Sequence, residues 1–146
     1  MKLFPLITIS AVLFTGIPFA RAWTTDYDQA VSMAKTNHEF LFLNFTTSDR
    51  NPTTAMSNTE ILGQDKFNEF TKDKLVLVDI YMYPKAKLSP ADRKRNEALA
   101  EQYGVTKYPT AVITDCDGKE LGELPYTPGG VDAYLTKLGA LLQRKP

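Results

Sequence analysis

One cysteine and one histidine in 146 residues exclude a good deal of chemistry at once. Cys116 has no partner for an internal disulfide, a Cys-x-x-Cys redox pair or a four-cysteine zinc site. A lone His38 gives no basis for a histidine-rich metal centre, and neither a metal nor an organic cofactor is expected. An excess of one charge is missing too. Seventeen basic and seventeen acidic residues cancel, so no global field favours nucleic acid or an anionic lipid surface. No internal repeat or low-complexity tract occurs. What remains is 43% hydrophobic and 23% charged, the proportions of a soluble globular chain. The length suits one domain whose core needs no disulfide or metal staple.

The N-terminus differs from the rest. Met1-Lys2 carries a positive charge, and no charged residue follows from Leu3 to Ala20. Ala20-Arg21-Ala22 then sets small residues at −3 and −1 before Trp23, the pattern of a secretory signal peptide cut after Ala22. A membrane anchor is the alternative. The uncharged run of 18 residues lies at the lower limit for a span, and Pro5 and Pro18 interrupt it. The expected organisation is a signal peptide at 1–22 and one domain at 23–146. That domain retains fifteen bases and seventeen acids, with no membrane span of its own after processing. It is destined for the periplasm or for secretion, where disulfides persist.

Periodicity and punctuation map the domain. Residues 26–36 carry Tyr27, Ala30, Val31 and Ala34 on one helical face. Residues 39–45 form an aromatic and aliphatic strand. The following T-T-S-D-R-N-P-T-T is rich in capping and turn residues, and a helix is expected from about Asn51 to Leu62, stopped by Gly63. Pro52 suits the first helical position, where its missing N–H costs nothing. A short helix is expected at 65–72. Residues 75–82, L-V-L-V-D-I-Y-M, read as a strand covered on both faces. A basic stretch with Lys85, Lys87, Arg93, Lys94 and Arg95 reads as a solvated loop and helix start. Ser89-Pro90 opens a helix that closes at Gly104. Residues 108–115 and 119–126 form a hairpin turned by Cys116-Asp117-Gly118. A last amphipathic helix covers 131–144. The first two strands should be parallel, joined by a right-handed crossover.

This α-β-α-α-β-α-β-β-α order, with a mixed four-stranded sheet and helices on both faces, is the arrangement of the α/β thioredoxin-like fold. Three motifs carry a resemblance to the secreted thioredoxin-like proteins of bacteria, over nearly all of residues 23–145. Leu43 to Thr54, L-N-F-T-T-S-D-R-N-P-T-T, is similar to the strand-loop-helix segment that bears Trp-Cys-x-x-Cys. Asn96 to Val105 followed by Lys107-Tyr108-Pro109-Thr110 resembles N-x-x-L-A-x-x-Y-G-V with the family's G-Y-P-T, whose proline is cis. Asp115 to Lys119 with Gly122, then Tyr126 to Gly130, resemble the terminal hairpin and loop.

The departures from that pattern bear on function. The family's nucleophilic and resolving cysteines fall here on Asn51 and Thr54, with Pro52-Thr53 between them and Arg50 in place of the tryptophan. Neither an amide nor a hydroxyl attacks a disulfide sulfur, so no catalytic residue is assigned. Asn44 stands where relatives often carry an acidic group that moves protons. Cys116 lies seven residues past Pro109, on the order of 23 Å along a strand. It reads as a hairpin residue, or as a handle for a disulfide-linked dimer. Ser48-Asp49 has no histidine to complete a triad and reads as a cap. His38 reads as a surface residue. Asn44-Phe45-Thr46 is a glycosylation sequon placed in a strand core. Phe40, Phe42, Phe45, Tyr81 and Tyr83 read as packing residues.

Two functions follow from the resemblance. The first is a redox-inactive binding module that pairs an extended peptide or protein partner beside the cis-proline. Arg50, Asn51, Thr53, Thr54, Tyr108, Pro109 and Thr110 would line its groove. The second is an enzyme that holds a small thiol on the Thr53 and Thr54 hydroxyls, as in glutathione transferases. Those enzymes bring a second, helical domain for which 124 mature residues leave no room. A decayed disulfide oxidoreductase paralogue is the remaining alternative.

Overall fold

The computed structural model describes residues 22–47, 50–82 and 88–144. The segment before Ala22 that is expected to be a signal peptide, Ser48-Asp49, and Tyr83, Lys85 and Lys87 lie outside them.

Helix α1 (Tyr27–Asn37) starts where Asp26 accepts the Gln29 N–H and ends at His38, an exposed residue in the left-handed region at φ 56°. Strand β1 (Phe40–Thr46) follows. Helix α2 (Pro52–Ser57) continues into a π-helical turn, Asn58–Leu62, closed by Gly63. The expected single helix is thus widened by one residue in its last turn. The Gly63 N–H reaches back to the Asn58 carbonyl at 2.8 Å. A Cβ on Gly63 would lie 2.8 Å from that same oxygen, so the wide turn needs glycine. Helix α3 (Asp65–Thr71) leads to β2 (Leu75–Tyr81). Helix α4 (Pro90–Gln102) has Ser89 as its cap, accepting the Asp92 N–H. Strands β3 (Thr110–Thr114) and β4 (Glu120–Pro125) form the hairpin, and α5 (Gly130–Leu142) closes the chain.

The sheet order is β2-β1-β3-β4. Strand β1 runs parallel to β2 and antiparallel to β3, and β3 is antiparallel to β4. Alternation along β1 divides the core in two. Leu41, Leu43 and Phe45 join Val76, Val78 and Ile80 under α1 and α4, where Ala30, Ala34, Leu99 and Tyr103 pack. Phe42, on the other face, joins Leu75, Leu77, Ala111 and Ile113 under the π-turn, α3 and α5 through Ile61, Phe67 and Leu138. Strands β1, β2 and β3 are buried on both faces along most of their length, which explains their nearly continuous apolar runs. Among the described residues no helix is long and apolar enough to cross a membrane.

Candidate functional site

Register brings two of the sequence motifs to one end of the sheet. Phe45 on β1 lies opposite Thr110 on β3. Because the strands are antiparallel, Pro109 and Tyr108 run on past Thr46, toward the loop that leads into α2. The Tyr108–Pro109 peptide bond is cis.

Asn51 is the N-cap of α2, with extended backbone at φ −73° and ψ 117°. Its Oδ1 accepts from the N–H groups of Thr53 at 2.9 Å and Thr54 at 3.4 Å. The helix-start donors that would stabilise a thiolate at this position are therefore already engaged by the side chain that replaces it. Pro52 at the first helical position has no N–H to offer. The two threonines part company. Thr53 is exposed, whereas Thr54 is fully buried with its Oγ1 3.3 Å from that of Thr47. Arg50 is exposed.

On the other side, Tyr108 is half-buried against the α1/α4 core, and burial pushes its phenol pKa up. Among the described residues its backbone N–H and C=O make no hydrogen bond. The Pro109 carbonyl accepts the Tyr126 N–H at 3.3 Å. Thr110 is buried and its hydroxyl donates to Glu123 at 3.0 Å.

Two features escaped the sequence reading. Asn44 is 5% exposed, and its Nδ2 donates to Asp79 Oδ1 at 2.9 Å from the facing register position on β2. Tyr81 donates to Asp79 Oδ2 at 3.3 Å. A lone carboxylate inside L-V-L-V-D-I-Y-M was the available signal, but its partner depends on strand pairing. Tyr126 is the second. Besides its backbone bond to Pro109, its hydroxyl donates to Glu60 on the π-turn at 2.7 Å, tying the loop before β3 to the far end of the α2 segment. Cys116 sits half-buried in the β3–β4 turn, at the opposite end of β3 from Pro109. Asp115 braces that turn by accepting the Asp117 and Lys119 N–H groups at 2.9 Å each. Among the described residues no three His, Cys, Asp or Glu side chains converge to hold a metal ion.

Comparison with known proteins agrees with this geometry. The family model for a thioredoxin-like domain matches residues 27–139. The disulfide bond reductase DsbH of Chlamydia pneumoniae is 31% identical over 117 residues, covering 80% of this chain and 70% of that protein. A solved structure of a DsbH oxidoreductase superposes with a TM-score of 0.77 at 29% identity, over 94% of this chain and 96% of the other. A thioredoxin from Thermus thermophilus matches at a TM-score of 0.66 and 17% identity, over 84% and 88% of the two chains.

Proposed function

The chain belongs to the thioredoxin-like family, and from that premise we propose that it is an exported, redox-inactive member that binds an extended peptide or protein segment. The reductase activity named for its DsbH relative requires two thiols within reach of one another, and this chain has only Cys116.

The observation that carries the reading is the contrast between the two walls of the site. At the helix start, Asn51 Oδ1 takes up the Thr53 and Thr54 N–H groups, leaving no donors for an attacking sulfur. At the same end of the sheet the Tyr108 backbone makes no hydrogen bond among the described residues, which leaves a donor and an acceptor of the kind strand addition uses. The small-thiol alternative is weakened by the burial of Thr54, since one of its two hydroxyls faces the protein interior. Export through a signal at 1–22, and a periplasmic or secreted location, belong to the same proposal.

Two measurements test it. Insulin reduction by the mature protein should not exceed that of Cys116→Ser; a higher rate would return the chain to the oxidoreductases. A photo-crosslinking residue at Tyr108 should capture partners from an extract of the exported fraction, whereas one at the exposed Lys35 on α1 should not. Equal capture at both positions would remove the groove from the proposal. A rise in melting temperature with glutathione would favour the small-thiol enzyme instead.

A further inference from the structure

We propose that the cavity along the outer edge of β2 binds a small organic cation bearing an ammonium or guanidinium group. Strand β1 separates this cavity from Tyr108, so the proposal stands apart from peptide binding there. The segment before α1 forms one wall. The Trp23 ring anchors it, stacked on Phe67 at 6.3 Å and edge-on to Phe42 at 5.9 Å. Thr24 then pairs with the strand. Its N–H donates to the Leu77 carbonyl at 3.1 Å, and its carbonyl accepts the Asp79 N–H at 2.9 Å. That pairing sets Thr25 and Asp26 beside Asp79. Helix α4 forms the other wall, and two bonds hold it. Asn96 Nδ2 donates to the Tyr81 carbonyl at 3.0 Å, and the Arg95 guanidinium donates to the Thr25 carbonyl at 3.2 Å. The space between the walls is about 370 Å³, within the range of ~300–1,000 Å³ that small-molecule sites occupy.

The lining is rich in acceptors. Asp26, Asp79 and Asp92 border the cavity together with Tyr81 and Asn96. Asp92 and Asn96 lie one helical turn apart on the same face of α4. Asn96 is 5% exposed. Its Nδ2 is committed to Tyr81, and its Oδ1 accepts no hydrogen bond among the described residues. A buried carbonyl oxygen without a donor costs stability, and a ligand N–H would supply one. Arg95 is the sole cationic side chain among the described residues of the lining. Its Nη2 already meets Asp92 Oδ1 and the Thr25 carbonyl, at 3.2 Å each, and its Nε is buried in the protein. Three carboxylates around one guanidinium leave the border net negative, which favours a cation over an anion. A bare metal ion needs several oxygens converging on one point. Among the described residues no three acidic, histidine or cysteine side chains do so. An ammonium or guanidinium group carries its charge on N–H donors that point in several directions, and so matches acceptors spread around a cavity.

The test titrates agmatine, which carries one ammonium and one guanidinium group, into the isotope-labelled full-length chain and follows NMR shifts. Saturable shifts are expected at the Asn96 side-chain amide and at the backbone amides of Asp79 and Asp92, with a Kd on the order of 1 mM or tighter at low salt. Raising the salt to about 0.15 M should weaken binding. N-acetyl-arginine amide, in place of a partner's side chain, separates two sources of the same chemistry. Saturation by agmatine alone supports a free small amine, and saturation by both supports a partner's cationic side chain. Succinate should give no saturable shift at these residues. Asn96→Leu keeps the shape, removes the Oδ1 acceptor and should weaken agmatine severalfold. Because that change also breaks the bond to Tyr81, Asp92→Asn is the second variant. It removes a charge at a partly exposed position and keeps an oxygen for the Ser89 hydroxyl. It should weaken binding severalfold while the melting temperature stays near wild type. The proposal is overturned by the absence of saturable shifts at these residues with either cation, by an equal response to succinate, or by unchanged affinity in the folded variants.

Discussion

Replacing Asn51 and Thr54 together by cysteine asks whether these residues stand at the family's thiol positions. Residues three apart in a first helical turn have Cβ atoms about 5–6 Å apart, and a modest rotation brings two sulfurs to bonding distance. In the reduced state the variant loses two interactions. The Asn51 cap to the Thr53 and Thr54 N–H groups contributes about 1 kcal/mol. The buried Thr54 hydroxyl contact with Thr47 contributes about 1 kcal/mol more. At roughly 4 °C per kcal/mol for a domain of this size, the reduced protein should melt ~8 °C below wild type. Closing a four-residue loop by a disulfide returns about 2 kcal/mol, so the oxidised variant should melt close to wild type. The assay is a pair of thermal melts, with and without reductant, beside an alkylation count by mass. After oxidation only Cys116 should take up alkylating agent. If the two introduced thiols still react, the motif alignment fails. If the reduced variant melts like wild type, the Asn51 cap and the Thr54 contact do not have the energetic role assigned to them.

The other predictions concern packing and ionisation. A Cβ at Gly122 would lie 2.6 Å from Leu141 Cδ2, so Gly122→Ala should lower stability by about 1–3 kcal/mol in urea unfolding, and Leu141→Ala in the same chain should relieve part of that clash. Burial pushes the phenol pKa of both Tyr103 and Tyr134 upward, while unfolded tyrosine ionises near ~10. Above that pH the unfolded state has lost protons that the native state retains, so stability falls as pH rises; Tyr134→Phe should flatten the decline in melts run from neutral pH to pH ~11. Asn44→Leu should leave Asp79 without its 2.9 Å amide donor and cost about 1–3 kcal/mol, whereas Asp79→Asn/Asn44→Leu together should cost less than the sum of the two single changes, read from a double-mutant cycle.

Much of the architecture was written locally in the sequence. Asp26, Asn51-Pro52 and Ser89-Pro90 start helices because their side chains, or a proline's missing N–H, suit the unpaired donors of a first turn. Gly104, at φ 64°, ends one because a residue without a Cβ enters the left-handed region at no steric cost. The absence of a Cys-x-x-Cys pair was equally legible, since Asn51 and Thr54 contain no sulfur whatever surrounds them. Tertiary structure decided the rest, because it depends on residues far apart in the chain. The β2-β1-β3-β4 order set Asp79 against Asn44 and carried Tyr108 toward the start of α2. Only packing turned Thr54 inward while Thr53 stayed in solvent, and only the placement of the π-turn brought Glu60 to Tyr126. The docking of Trp23 against the Phe42–Phe67 pair is of the same kind. Local propensity reports a few residues of backbone at a time, whereas strand register and helix seating are fixed by burial summed over the whole chain.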